Sequence, residues 1–399
     1  MEEPPMTITN VPLRAELVGR ATDLVGLIRK HAGWQEEHRM LHEKVLRAVL
    51  DSGLLKMRVP RRYGGFESDV RTVCEVLAEL ARGDGSVGWT IATMTLASWQ
   101  VGLFPDEVQD EIFADADVRV CGTASPGGIA VPAEGGVILN GEWRFNSGAP
   151  HCQWDIHSAL LDTGDAGYLP VSIAVPMPDM TIVDDWYTAG LRATSSVTVV
   201  AKDLFVPDAR VLPFLPVLME NRHRSERNAG SATWKVPFVA WSSTVASSPA
   251  LGMARAAQEC FFERLPGRKI VYTNYERQID APLTHLQVAE AAAKTDEAGF
   301  HLRRAAERLD TKVLAGESWT LAERALTRMD AGAVCLRAKE AVDVLNTASG
   351  GSSLYSDVPI QRIERDIQAL NLNGIVHPNT NAETYGRVLC GLEPNTTLL

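Results

Sequence analysis

Apolar positions change their spacing twice along this chain. Leu13, Leu17, Leu24 and Ile28 fall on one helical face, and Val70, Val73, Leu77 and Leu80 on another, because residues three and four apart share a face of a helix. Gly64–Gly65 punctuates this first zone, and "RGDGS" (82–86) predicts a turn with Asp84 or Ser86 as the cap of the next helix. From about 119 to 215 the pattern becomes that of strands. In "VILNGEWRF" the pair Asn140–Gly141 predicts a hairpin turn. "SSVTVVAKDLFVP" has the β-branched density of a further strand, closed by Pro207. From about 231 to 373 long Ala- and Leu-rich stretches return, among them "THLQVAEAAAKTDEAGFHLRRAAERL" and "LAERALTRMDAGAVCLRAKEAVDVLNTAS", as close-packed bundle helices require. The expected organisation is α+β, with an N-terminal α-helical domain (1–118), a central β domain (119–230) and a C-terminal helical bundle domain (231–399).

Composition narrows the class. The chain has 399 residues, 45% of them hydrophobic, and a formal net charge of 39 − 50 = −11. Acidity of that size argues against a nucleic-acid partner. No apolar run approaches the ~20 residues of a membrane span. The six cysteines are scattered without a C-x-x-C pair, and the opening "MEEPPMTITNVP" is unlike a leader. The expectation is a soluble, cytoplasmic protein with reduced thiols. Neither G-x-G-x-x-G after a strand, nor a phosphate-binding G-x-x-x-x-G-K-[ST], nor a G-x-S-x-G nucleophile turn is present. His38 and His42 have a metal-compatible spacing but no third ligand, and are read as partly exposed helix residues. No metal is expected.

Six stretches, in order, carry a family likeness: "LLKMRVPRRYGG" (54–65), "ARGDGSVGWTIATM" (81–94), "CGTASPGG" (121–128), "WRFNSGAPHCQW" (143–154), "AGLRATSSVTVVAKDLFVP" (189–207) and "ASGGSSLYSDVPIQRIERD" (348–366). Together they resemble the acyl-CoA dehydrogenase superfamily over nearly the whole chain. The resemblance implies an N-terminal helical domain, a central β-barrel or sandwich, a C-terminal four-helix bundle and a homotetramer. Dehydrogenases of that fold take an alpha proton with a glutamate. One location for it lies about eight residues beyond the Arg365–Asp366 pair, where this chain has Asn373–Gly374, and the other falls in "AWSSTV" (240–245). Neither holds a carboxylate, and a carbon acid that weak needs a positioned base.

"NSGAPHCQW" and the helix start Ser86-Val87-Gly88-Trp89 instead resemble the two-component flavin monooxygenases. That branch receives reduced flavin, FAD or FMN, from a separate flavin reductase and uses O2 to oxygenate a phenol, a sulfide or an amine in a dry pocket. The resemblance places Ser147 against the reactive ring nitrogen and Thr123 and Ser125 along the ring's polar edge. It sets Trp89, Arg192 and Thr194 around the cofactor, and Gly350–Gly351 near flavin across a subunit boundary. Phenol hydroxylases of this branch place a histidine where Asn373 stands; His151 and His377 are the candidate substitutes.

The tail "NGIVHPNTNAETYGRVLCGLEPNT" resembles the nitrososynthases, which N-oxidise a nucleotide-linked deoxyamino sugar. That substrate brings a diphosphate needing cations. Arg222 and Arg224 in "NRHRSERN" (221–228), with Arg61 and Arg62 as a second pair, are the candidates. The expected function is therefore reduced-flavin N-oxygenation of a nucleotide amino sugar. A phenol or aromatic polyketide hydroxylase is the alternative, and a non-catalytic flavin-binding protein the third reading.

Overall fold

A computed structural model describes residues 11–399, so most of the stretch compared above with a leader lies outside the described residues. Helices α1 (Arg14–His38), α2 (Glu43–Asp51), α3 (Val70–Gly83), α4 (Gly85–Val101) and α5 (Asp106–Ile112) come first. In α1 the buried stripe is Leu17, Ala21, Val25, Ile28 and Ala32, whereas Leu13 precedes the helix and is exposed. His38 ends α1 and His42 caps α2 by accepting from the Lys44 amide, so the two histidines do not share one helix. Asp69 caps α3, and Asp84 caps α4 through the amides of Ser86 and Val87. That choice of Asp84 follows from charge, since a carboxylate at a helix N-terminus meets unpaired N–H groups. Helix α4 is buried on nearly every side and is the axle of the molecule.

Eight strands follow: β1 (Val120–Thr123), β2 (Gly128–Ala133), β3 (Gly136–Asn146), β4 (Trp154–Asp162), β5 (Tyr168–Pro176), β6 (Thr181–Val183), β7 (Val197–Pro207) and β8 (Val211–Pro213). They form one sheet in the order β6-β7-β3-β2-β4-β5-β8, with β1 parallel to β4. The hairpin expected at Asn140–Gly141 is not there. The turn lies at Glu134–Gly135, and β3 runs straight through Asn140–Gly141 with a register shift against β7. Two forces select glycine at 141. The Gly128 backbone of β2 leaves no room for a Cβ, and the irregular pairing there is a bulge, where Gly is favoured. Asn140 bonds Asp203, itself at φ 48 on the facing strand.

The chain then returns to helix: α6 (Leu215–Glu220), α7 (Phe238–Arg264), α8 (Pro282–Ala315), α9 (Leu321–Ala348), α10 (Pro359–Asn371) and α11 (Pro378–Leu389). Small residues let α7, α8 and α9 approach closely, and α10 and α11 pack on α9. Gly252 of α7 lies against the Ala78 carbonyl of α3, which fastens the bundle to the N-terminal helices. Among the described residues no helix is long and apolar enough to cross a membrane.

Candidate functional site

Ser147 follows the last residue of β3. The pairing of Asn146 with Val197 on β7 brings it beside Ser196. Helix α4, which carries Trp89, packs on β1 and on the turn at 192–194, so Trp89, Ser147 and Thr194 come together where α4, the end of β3 and that turn meet, with β1 and its Thr123 alongside α4. Gly148 is at φ +76, and a Cβ there would press on Met94 and Thr90 of α4 at 2.8 and 2.9 Å. Glycine is what permits the strand to end so close to the helix.

The polar groups here are buried and joined in a line. Trp89 Nε1 donates to Ser147 Oγ at 3.0 Å. Ser147 Oγ lies 2.7 Å from Ser196 Oγ, which lies 2.6 Å from Thr194 Oγ1. Thr194 Oγ1 donates to the Leu191 carbonyl at 2.8 Å. The same carbonyl accepts from Trp186 Nε1 at 3.0 Å. Ser196 belongs to this group, as a residue of "GLRATSSV", the segment that the resemblance places along the cofactor or substrate channel. The sequence signal for it was the hydroxyl density of "TSSV" just before a strand.

The loop carrying the line is strained and anchored. Leu191 and Ser195 have φ of 50° and 45°, a left-handed conformation that costs a residue with a Cβ about 1–2 kcal/mol. Three contacts from α10 hold it. Asp366 accepts from the Leu191 amide at 2.6 Å, Arg365 donates to the Ala189 carbonyl at 2.8 Å, and Gly190 lies directly on the Arg365 carbonyl. Ser195 Oγ donates to the Arg39 carbonyl at 2.5 Å. Burial, and then the nearby Asp84, push Asp366 up to about 7. Burial likewise raises Asp84, against the pull of Arg362 and its two capping amides. Sequence reading used Arg365–Asp366 only as a landmark; in three dimensions the pair clamps the loop behind Ser147.

The other predicted residues fall into distinct places. Arg192 is spent on the backbone carbonyls of Glu36 and Thr188. His151 accepts from the Leu41 amide at Nε2, 3.3 Å away, and burial followed by the Arg119 charge lowers it to about 4. It is thus a neutral imidazole with its proton on Nδ1. Asn373 accepts from the Ile375 amide at 3.0 Å and closes a turn, while His377 precedes α11 with a buried Nδ1 that has no partner. Gly350, at φ +64, and Gly351 follow α9, near Arg264 and Arg268, and no hydrogen bond joins them to the Ser147 group. The hydroxyls of "AWSSTV" on α7 turn back on their own helix, Thr244 to the Ala240 carbonyl for example. Thr123 and Ser125 remain accessible at the open end of β1.

Arg222 pairs with Glu220 at 2.9 Å, and Arg224 donates to the Val211 carbonyl. Arg62 is bound to Asp106, Gln109 and Asn228, and Asp106 also takes Ser225 and the amides of Glu226 and Arg227. The "NRHRSERN" loop therefore folds down onto the acidic start of α5. Its cations are largely paired already. A cavity of about 130 Å³ between α1, α3, α7 and α8 is lined by none of the Ser147 group.

Comparison with known proteins places this geometry. Residues 26–114 match the family model described as acyl-CoA dehydrogenase, N-terminal domain, and residues 244–377 that described as acyl-CoA dehydrogenase, C-terminal domain. The chain is 28% identical over 381 residues to the flavin-dependent monooxygenase oxygenase subunit HsaA of Rhodococcus jostii, covering 95% of this chain and 100% of that one. It is 29% identical over 387 residues to the oxygenase component of an FADH2-dependent resorcinol hydroxylase of Rhizobium sp., covering 95% of each. The solved structure of XiaF from Streptomyces sp., in complex with FADH2 and glycerol, aligns at a TM-score of 0.91 and 30% identity, over 97% of this chain and 98% of that one.

Proposed function

The chain belongs to the flavin-dependent monooxygenases built on the acyl-CoA dehydrogenase fold, and from that premise we propose that it is an oxygenase component that hydroxylates a phenolic ring. Reduced flavin, delivered by a separate reductase, supplies when bound the two electrons with which O2 is split between the ring and water. The residues present suit such a cofactor. Ser147 keeps an acceptor position outside its internal bonds, and Thr123 and Ser125 offer hydroxyls at an accessible edge. Gly148 lets the backbone come close, and no carboxylate stands at Asn373 or along 240–245 to take a carbon-bound proton.

This reading corrects the expected substrate. A nucleotide amino sugar needs free cations for its diphosphate, and Arg222, Arg224 and Arg62 have partners of their own. The resorcinol hydroxylase among the relatives is named for an aromatic substrate. We also assign the phenol's proton to His377 rather than His151. The buried Nδ1 of His377 lacks a partner, whereas the one basic nitrogen of His151 is taken by Leu41. The proposed assembly is a homotetramer in which Gly350 and Gly351 of one copy lie by the flavin of another.

The observation that carries the proposal is the buried Trp89–Ser147–Ser196 group at the junction of β3, β7 and α4. The test supplies the protein with a flavin reductase, NADH, and a panel of phenols and nucleotide amino sugars, followed by mass spectrometry. A phenol should gain one oxygen atom. Oxygenation of the amines alone, or hydrogen peroxide as the sole product, would end the proposal.

A further inference from the structure

Donor counting gives the hydroxyl line a direction. The Leu191 carbonyl can only accept, so Thr194 spends its single proton there. The contact between Ser196 and Thr194 then requires Ser196 to donate, and its own proton is used. The contact between Ser147 and Ser196 in turn requires Ser147 to donate inward. Trp89 Nε1–H fills one lone pair of Ser147. What Ser147 has left is one lone pair and no proton.

We propose, resting on the reading that Ser147 faces the flavin, that Ser196 and Thr194 are positioning residues that fix Ser147 as a hydrogen-bond acceptor, so that the site selects reduced over oxidised flavin. The reactive ring nitrogen carries a proton in the reduced cofactor and only a lone pair in the oxidised one. Acceptor therefore meets donor in the first case and acceptor meets acceptor in the second. Selectivity thus arises two residues behind the contact. The line ends on a carbonyl held by a strained loop, so its polarity is set by backbone and does not reverse when the ligand changes.

The substitutions that break the line are mild. Ser196→Ala leaves Thr194 still donating to Leu191, and the one donor it releases is the Ser147 hydroxyl, which is then free to turn towards the cofactor. Thr194→Val leaves the Leu191 carbonyl with Trp186 and the Thr194 amide. The full-length protein is titrated anaerobically with dithionite-reduced and with oxidised FMN and FAD, following absorbance and fluorescence. Wild type should bind the reduced forms more tightly.

In Ser196→Ala and Thr194→Val the affinity for oxidised flavin should rise about 3- to 10-fold, the worth of one neutral hydrogen bond, while that for reduced flavin moves less than about twofold on the same scale. Thr194→Ser should keep the wild-type ratio, and Ser147→Ala should lose reduced-flavin affinity. If Ser147→Ala shifts the ratio but Ser196→Ala and Thr194→Val leave it unchanged, or weaken both forms alike, the relay is wrong and the flavin contact stands. If Ser147→Ala changes neither affinity, the contact itself is misplaced and the relay falls with it.

Discussion

Replacing Asp366 by Asn tests the clamp behind the site. Asparagine keeps an oxygen for the Leu191 amide and removes the charge. The carboxyl is buried, faces Asp84, Arg362 and Glu36, and is pushed up to about 7 by burial first and by Asp84 second. Its folded value thus lies above its unfolded one, and the folded protein holds the proton more tightly between pH 4 and 7. Stability must therefore fall as pH rises through that window and stay reduced above it. At 1.36 kcal/mol per unit, the ionised carboxylate costs the fold on the order of 4 kcal/mol. Asp366→Asn should be more stable than wild type at pH 8 by up to about that amount, and the gain should vanish near pH 4. Urea unfolding of both proteins at intervals from pH 4.5 to 8 reads the difference directly. A difference that does not vary with pH would refute the reasoning, because a titrating carboxyl cannot give a constant offset.

Three other outcomes follow from the same structure. Gly190→Ala drives a Cβ into the Arg365 carbonyl, and should cost about 3 kcal/mol as overpacking against backbone, with loss of flavin affinity; calorimetry and flavin titration check both. Arg222→Ala combined with Arg224→Ala should leave stability within about 0.5 kcal/mol and leave the Michaelis constant for a phenol unchanged in steady-state assays. His151 is lowered to about 4, so the unfolded chain takes up its proton first and stability falls as pH drops from 6.5 towards 4, by up to about 3 kcal/mol. His151→Gln, which can still accept from Leu41, should flatten that slope in acid unfolding curves.

The helices and the β7 strand were legible because their signals are local: apolar stripes, caps such as Asp84, and the run ending at Pro207. Asn140–Gly141 misled for an instructive reason. Its backbone freedom serves a bulge where two strands nearly touch, and a turn and a bulge ask the same of a glycine. Ser147 and Trp89 were legible only as parts of a family pattern. The line from Trp89 to Leu191 was not, since it joins residues of three elements and its direction depends on which oxygen is a carbonyl. Arg222 and Arg224 read as free cations because a string of basic residues does not display Glu220 and the Val211 carbonyl, the partners they meet after folding.

The clamp also has a consequence for synthesis. Leu191 and Asp366 are separated by 175 positions. The left-handed turn at Leu191 is a poor local minimum, stabilised by a helix that leaves the ribosome long after it. A nascent chain lacking α10 can form its strands but has nothing to hold that turn, so competence to receive a cofactor arrives late and all at once. Chains cut short before that helix should emerge as folded-looking sheets that are blind to flavin.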